Sequence, residues 1–272
     1  LSAISGGEYE GKMATKKPLM NLTRDFQFID EIAYLRPGQF YNAPKDGNTQ
    51  INNDMFDNKE FICFLDSCFT VIHNTNTDKL IIDLRGNPGG SASFSNPMVA
   101  FFASKPFIGA SKLFVKTSQV NKNFWKDYND STQLFMDIKK EVLARENGTR
   151  FEVSLTKHLP RKDSLWFGGK VYVLINRFSF SEAIVISAMI QDYGFGKIIG
   201  EETSPVMYAN SRQFKLPHTQ ITATFPAAYM IRPNGDTSLN GIIPDYKVEE
   251  NLLTKEDEIL EYTLKLIKEI KN

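Results

Sequence analysis

The sequence lacks net charge, long apolar runs and internal repeats. Its 32 Lys and Arg residues balance 32 Asp and Glu residues. This balance argues against a nucleic-acid-binding surface or a generally basic membrane-binding face, although a local patch stays compatible with it. No run of 18 or more apolar residues occurs, so we expect no segment to span a bilayer. With 42% hydrophobic and 24% charged residues, the composition is that of an ordinary globular protein.

Cysteine is scarce, and its placement speaks against a disulfide. Cys63 and Cys68 lie in a stretch with helical periodicity. Five positions along a helix separate two Cα atoms by about 8 Å, which is too far for a disulfide. We therefore expect both to be buried thiols, and they leave the redox compartment open.

A chain of 272 residues accommodates one large domain, or one domain with a small appendage. Residues 1–30 are mixed and polar, and we expect them to form an N-terminal segment that precedes a main domain over 31–272. The chain begins with Leu1 rather than Met, so we expect a processed or trimmed product.

Periodicity and turn signals place the main elements. Helices are expected over 54–73, 96–104, 133–145 and 254–271, with a further one ending near Tyr193. Short continuous apolar runs predict buried strands over 79–84, 170–176 and 197–200. One or two more strands with a turn are expected over 212–232. Thr254 is the expected N-cap of the last helix.

Two junctions between a strand and a loop carry the candidate chemistry. The first, residues 81–90, reads IIDLRGNPGG, with three glycines and a proline directly after a buried strand. A turn of this kind brings the backbone close to its neighbours and can point N–H groups into an oxyanion hole. It can equally be a structural turn that leads into a helix.

The second junction delivers a serine-rich turn at the start of a helix, between Ser179 and Glu182. Ser179 and Glu182 fit a capping box, a common structural feature without a catalytic role. Ser181 stays outside that explanation. It lies where the helix dipole and free N–H groups stabilise a developing negative charge. The arrangement is similar to the nucleophile turn of hydrolases but lacks their GxSxG signature.

Together these motifs resemble peptidase family S41, the tail-specific and C-terminal processing peptidases related to the tricorn core protease. The family's D-x-R-x-N-x-G-G run is matched in full by Asp83, Arg85, Asn87, Gly89 and Gly90. Downstream follow a serine turn, Gln191-Asp192, a G-E-x-T motif at 200–203, and a G-x-x-P-D motif at 241–245. The run IAYLRPGQF at 32–40 resembles the strand that opens the family's protease core. The resemblance covers residues 30–250.

Within this resemblance Ser181 corresponds to the nucleophile, because counting back from the G-E-x-T motif without gaps leads to Ser181 and not to Ser179. The oxyanion donors are then the N–H groups near Gly89, Gly90 and Glu182. Asp83, Arg85 and Asn87 support the motif. No metal or organic cofactor is implied.

The general base is the point at which the sequence departs from the family pattern. In the Ser–Lys branch a lysine follows the G-E-x-T motif, and here Val206 stands at that position. We expect that neither Lys197 nor Lys215 replaces it. Other branches use a histidine, and of His73, His158 and His218 the last is the first candidate, because it follows the active-site loop. A histidine from a segment upstream of this chain and an inactive protein are the alternatives.

The resemblance implies an α/β fold with a ClpP/crotonase-like spiral core of short strands packed with helices. Residues 1–30 are then the remnant of a PDZ-like domain. The implied function is that of a serine endopeptidase that hydrolyses a protein or peptide substrate through an acyl-enzyme, exported to the periplasm or cell envelope. The alternatives are a protease-like module without a working base that binds extended peptides, and another hydrolase or a crotonase-type enzyme on the same core.

Overall fold

The structure, a computed structural model, describes residues 20, 22–43, 53–127, 133–205, 208–238 and 240–270. The strands are β1 (Asp25–Ile29), β2 (Ile32–Arg36), β3 (Lys79–Asp83), β4 (Lys112–Lys116), β5 (Arg150–Val153), β6 (Lys170–Ile175), β7 (Lys197–Gly200), β8 (Tyr208–Lys215), β9 (Thr222–Ile231) and β10 (Tyr246–Lys247). The helices are α1 (Lys59–Thr75), α2 (Ala92–Ala100), α3 (Gln119–Asp127), α4 (Gln133–Ala144), α5 (Glu182–Tyr193) and α6 (Glu258–Glu269).

A six-stranded sheet in the order β1-β2-β3-β6-β7-β10 forms the centre of the described chain. All of its pairings are parallel except β1 with β2. Alternate residues of β3 enter opposite cores: Leu80 and Ile82 pack with α1, α2 and α5, whereas Ile81 packs with α6. Burial on both faces explains why β3 and β6 read as continuous apolar runs. The α/β fold expected from the family resemblance is confirmed.

A second sheet of four strands, in the order β5-β4-β9-β8, is antiparallel. Its own core joins Leu113 and Val115 of β4 to Trp125 of α3 and Ile138 of α4.

Several predicted boundaries are wrong by a few residues, for local reasons. The first helix begins at Lys59, after a separate 3-10 turn over Asn53–Phe56. The helix expected at 96–104 lies at 92–100, because Ser91 caps it by accepting a hydrogen bond from the Ser93 N–H. The last helix is capped by Asp257, not by Thr254.

Both cysteines are free thiols, as predicted, but only Cys68 is buried. The buried face of α1 carries Phe61, Leu65 and Cys68, and Cys63 is about half a turn round the helix from Phe61. This position turns Cys63 toward solvent.

The predicted boundary at residue 30 falls inside the β1–β2 hairpin, so residues 25–29 extend the central sheet. Residues 1–19 lie outside the described part of the chain. Across the described residues, no helix is both long and apolar enough to cross a membrane.

Candidate active site

The two junctions meet because β3 and β6 are parallel neighbours in register, with Asp83 opposite Leu174. The carboxyl ends of adjacent parallel strands lie at the same edge of a sheet, where ligands of α/β proteins usually bind. The Leu84 N–H continues the pairing by donating to the Leu174 carbonyl at 2.9 Å. The turns that follow the two strands therefore start side by side.

Asn87 shapes the glycine turn, residues 86–90, with three of its hydrogen bonds. Its Oδ1 accepts the Gly89 N–H at 2.8 Å, and its Nδ2 donates to the Gly38 carbonyl at 2.7 Å. Its own carbonyl accepts the Phe180 N–H at 2.9 Å. One buried asparagine thus links the glycine turn to the opening strand and to the serine turn at residues 176–181.

Gly89 allows the closest approach between the two turns. A Cβ atom on Gly89 would lie 2.6 Å from the Glu182 nitrogen and 2.7 Å from the Ser181 Cβ. Its φ of +89° also lies in the region that favours glycine. Only glycine at this position lets the turn contact Ser181.

Ser181 lies at the start of α5 in a strained conformation. It is the N-cap residue, with φ 52° and ψ −119°, and its side chain forms no capping hydrogen bond. Positive φ is uncommon for serine and costs about 1–3 kcal/mol. The residue is exposed, and its hydroxyl has no hydrogen-bond partner among the described residues.

The predicted capping box is wrong, because the helix begins two residues later than a box at Ser179 requires. Ser179 is fully buried. Its hydroxyl donates to the Leu84 carbonyl at 2.8 Å and accepts the Asn176 N–H at 3.1 Å. Ser179 therefore connects the ends of β3 and β6 and has no access to solvent.

The glycine turn offers its free donor at Gly90. The Gly89 N–H is already occupied by Asn87. The N–H groups of Gly90 and Glu182 have no acceptor within the described part of the chain. The Gly90 N–H follows Gly89 in the turn that contacts Ser181, and the Glu182 N–H lies in the first turn of α5.

The Glu182 side chain also does not act as the capping box predicts. Its Oε1 accepts a hydrogen bond from the Ser95 hydroxyl of α2 at 2.5 Å. Burial raises the pKa of this carboxyl to about 7, and the hydrogen bond from Ser95 opposes the rise. The residue as a whole is partly buried.

Asp83 and Arg85 form a buried ionic cluster behind the turn. Arg85 pairs with Asp83 at 2.8 Å and with Asp257, the N-cap of α6. The Tyr34 hydroxyl donates to Asp83. Burial alone would raise the pKa of Asp83, but Arg85 and Tyr34 hold it below its usual range. The acidic and basic residues of the motif thus join its turn to the last helix.

The two downstream motifs are joined to each other. The Thr203 hydroxyl accepts the Ile242 N–H at 2.9 Å, while Glu201 accepts the N–H groups of Arg177 and Glu250. Asp245 accepts the Ile198 N–H at 2.8 Å. These polar residues stabilise loops, and Arg177 lies within the serine turn.

None of the chain's three histidines forms a hydrogen bond with Ser181 within the described residues. His218 is exposed in the turn between β8 and β9. His73 lies in the exposed last turn of α1, and His158 bonds to Asn96 at 2.9 Å. Burial lowers the pKa of His158.

The lysines considered as a base are placed elsewhere too. Lys197 lies at the amino end of β7 and pairs with Asp245 at 3.4 Å. Lys215 ends β8 next to the hairpin turn and is exposed. Val206 lies outside the described residues.

Sequence reasoning missed Ser95 and Asn176. The Asn176 Oδ1 accepts the N–H groups of Gly86 and Phe178, so it fixes the start of both turns. An asparagine directly after a buried strand is a detectable signal for such a role. Ser95, in the interior of a predicted loop-to-helix segment, offers no such signal.

Comparison with known proteins agrees with this geometry. A family model described as peptidase family S41 matches residues 32–248, which is most of the chain. The chain belongs to this peptidase family. Mature CPAF superposes with a TM-score of 0.59 at 15% identity, over 98% of this chain and 59% of that chain.

Two bacterial crystal structures share the fold. A candidate peptidase from Parabacteroides merdae matches with a TM-score of 0.59 at 18% identity, over 95% of this chain and 68% of that chain. A candidate S41 protease from Bacteroides fragilis matches with a TM-score of 0.52 at 15% identity, over 92% of this chain and 58% of that chain. The chain spans 45% to 59% of the CPAF chains that it matches.

Proposed function

We propose that this protein is a serine endopeptidase that hydrolyses peptide bonds through an acyl-enzyme on Ser181. The observation that carries the proposal is the conformation of Ser181, exposed at the start of α5 with φ 52° and in contact with the glycine turn. A strained serine that no local hydrogen bond explains is typical of a nucleophile turn. Membership of peptidase family S41 supports the same reaction.

In the proposed reaction the Ser181 oxygen attacks the scissile carbonyl carbon, and its proton passes to a general base. The N–H groups of Gly90 and Glu182 donate to the oxyanion, assisted by the dipole of α5. The tetrahedral intermediate then expels the amine, which takes the proton from the base. Water hydrolyses the ester and restores the hydroxyl.

No described residue lies in hydrogen-bond contact with the Ser181 hydroxyl to act as the general base of this mechanism. The paired strands β8 and β9 extend from Tyr208 to Lys215 before their turn, which is about 23 Å of strand. The loop that precedes them contacts Arg177 within the serine turn, and His218 is at the opposite end of the hairpin. We therefore favour a base from a segment outside the described residues, and we keep His218 as the alternative within them.

Labelling with a fluorophosphonate probe tests the proposal. We expect wild-type protein to be labelled and Ser181→Ala not to be. Ser179→Ala is the matched control, since it removes a hydroxyl two residues away and should still be labelled. Equal labelling of wild type and Ser181→Ala would refute the assignment. Loss of labelling in His218→Gln would identify His218 as the base.

A peptide-binding module that lacks catalysis is the second candidate. It is favoured by the observation that no described histidine or lysine hydrogen-bonds to Ser181. Such a module captures extended peptides by strand addition. A fluorescent peptide that binds but is neither cleaved nor competed by the probe would support this function over the enzyme.

The partner in either case is a protein or peptide. We further propose a location in the periplasm or cell envelope, which is common in this family. Fractionation of the source cells checks it, and recovery of the protein only from the cytosolic fraction would contradict it.

A further inference from the structure

Glu182, directly after Ser181, has a carboxyl group that pairs with no cation among the described residues. The residue is partly buried, and the one resolved partner of its carboxyl is the Ser95 hydroxyl, at 2.5 Å. A buried carboxylate without a cation is costly. A glutamine would accept the same hydrogen bond without that cost. The acidic group at this position therefore calls for an explanation.

No described charged group on the packed segments neutralises this carboxyl. Helix α2 contains no charged residue. One charged residue besides Glu182 lies in each of four neighbouring segments: the turn 84–91, the serine turn 176–181, α5 and β7. These four, Arg85, Arg177, Asp192 and Lys197, are each paired with an oppositely charged side chain. Lys105, in the loop before β4, lies over an aromatic ring. Burial accordingly dominates and raises the pKa of Glu182 to about 7.

The position of this carboxyl connects both sides of the proposed oxyanion site. Ser95 belongs to α2, which starts directly after the glycine turn, and Glu182 is the first residue of α5. Their hydrogen bond joins the two helices, five residues after Gly90 on α2 and at the first residue of α5. A negative charge on this side chain would oppose the negative oxyanion that the same residue's N–H group is proposed to bind.

We propose that Glu182 is a positioning residue that must be protonated for catalysis: through Ser95 it holds the start of α5 against the glycine turn, and its ionisation disfavours the oxyanion. This inference rests on the proposed function of Ser181. It predicts a loss of activity with rising pH that belongs to Glu182 and not to the general base.

The test is the rate of fluorophosphonate labelling from about pH 5 to about pH 9, in wild type and Glu182→Gln. Because both proteins share the same base, its titration cancels in the ratio of the two rates. We expect the ratio of the Gln variant to wild type to rise above about pH 7, by up to about tenfold per pH unit. Glu152→Gln, at an exposed carboxylate of β5, should give a flat ratio.

A second variant pair separates ionisation from a merely structural role. The Ser95 hydrogen bond lowers the pKa of Glu182, so Ser95→Ala should raise it. We then compare the labelling rate of the double variant, which carries both Ser95→Ala and Glu182→Gln, with that of the single variant Ser95→Ala. The ratio of these two rates should begin to rise at a higher pH than the ratio of Glu182→Gln to wild type. A role in packing alone would not move this onset.

The outcomes are distinguishable. A flat ratio for Glu182→Gln, with wild type labelled at Ser181, overturns the inference and leaves the proposed function intact. Absence of Ser181-dependent labelling at every pH overturns the proposed function and this inference with it.

Discussion

At the scale of single residues, Ser179 and Ser181 differ in burial and in backbone conformation. Ser179 is buried between two strand ends, while Ser181 is exposed and strained. We expect Ser179→Ala to cost about 1–3 kcal/mol, because the Asn176 N–H loses its acceptor and the Leu84 carbonyl keeps only the Asn87 N–H as a donor. Chemical denaturation of both alanine variants measures this difference. A larger loss in Ser181→Ala than in Ser179→Ala would contradict the assignment of roles.

Strain at Ser181 gives a separate prediction for stability. Glycine adopts positive φ without steric cost, so Ser181→Gly should relieve about 1–3 kcal/mol of backbone strain. The greater backbone entropy of glycine in the unfolded chain offsets about 0.5–1 kcal/mol of this gain in the free energy of unfolding. The variant should unfold at a higher denaturant concentration than Ser181→Ala, and neither should be labelled. Equal midpoints for the two variants would show that the conformation stores no strain.

The ionisation of Glu182 also predicts a pH dependence of stability. Its pKa rises from 4.5 to about 7 on folding, so the protonated form is favoured in the folded state. The stabilisation is complete below the unfolded pKa and is lost as the pH rises through the folded pKa. Relative to Glu182→Gln, wild type should lose up to about 3 kcal/mol between these values. Denaturant titrations of both proteins at several pH values measure this, and a constant difference would contradict the shift.

At the scale of elements, the site depends on the contact between the glycine turn and the first turn of α5. Gly89→Ala would place a Cβ 2.6 Å from the Glu182 nitrogen, in a backbone conformation unfavourable for alanine. We expect a loss of about 2–4 kcal/mol and of probe labelling, since the two turns must move apart. Gly148→Ala is the matched control, because Gly148 has φ +91° but no atom within 4 Å of its Cβ position. An equal loss of stability and labelling in the two variants would refute a role for close approach.

At the scale of the whole molecule, the motif after β3 is joined to the C-terminal helix through Arg85 and Asp257. Arg85→Met would leave Asp83 buried with only the more distant Arg36, at 3.9 Å, as a cation. Removing one partner of a buried ion pair typically costs 3–5 kcal/mol, here taken as about 4 kcal/mol. Lys265→Met, which breaks an exposed pair with Glu269, should cost less than about 0.5 kcal/mol. Thermal unfolding of both variants checks the contrast. A similar shift in both would show that the buried cluster contributes no more than a surface pair.

Element types were predictable where a local pattern dominates. The runs KLIIDL and KVYVLIN read as strands because both faces of β3 and β6 are buried. Boundaries were less predictable, because caps are decided by geometry. Ser91 and Asp257 accept hydrogen bonds at the starts of α2 and α6, whereas Ser179 and Thr254, equally good cap residues by type, do not cap a helix. Residue type alone does not distinguish such candidates.

The sequence by itself determined that two special turns follow two buried strands, since glycine, asparagine and serine at those positions have local conformational reasons. The tertiary structure decided what each turn does. Asn87 and Phe180 are 93 positions apart, and their hydrogen bond shows that long-range pairing of β3 with β6 brings Gly89 against Ser181. The same packing buries Ser179, and it leaves the Gly90 N–H without an acceptor among the described residues. These outcomes depend on contacts between distant segments, and local sequence preferences do not specify such contacts.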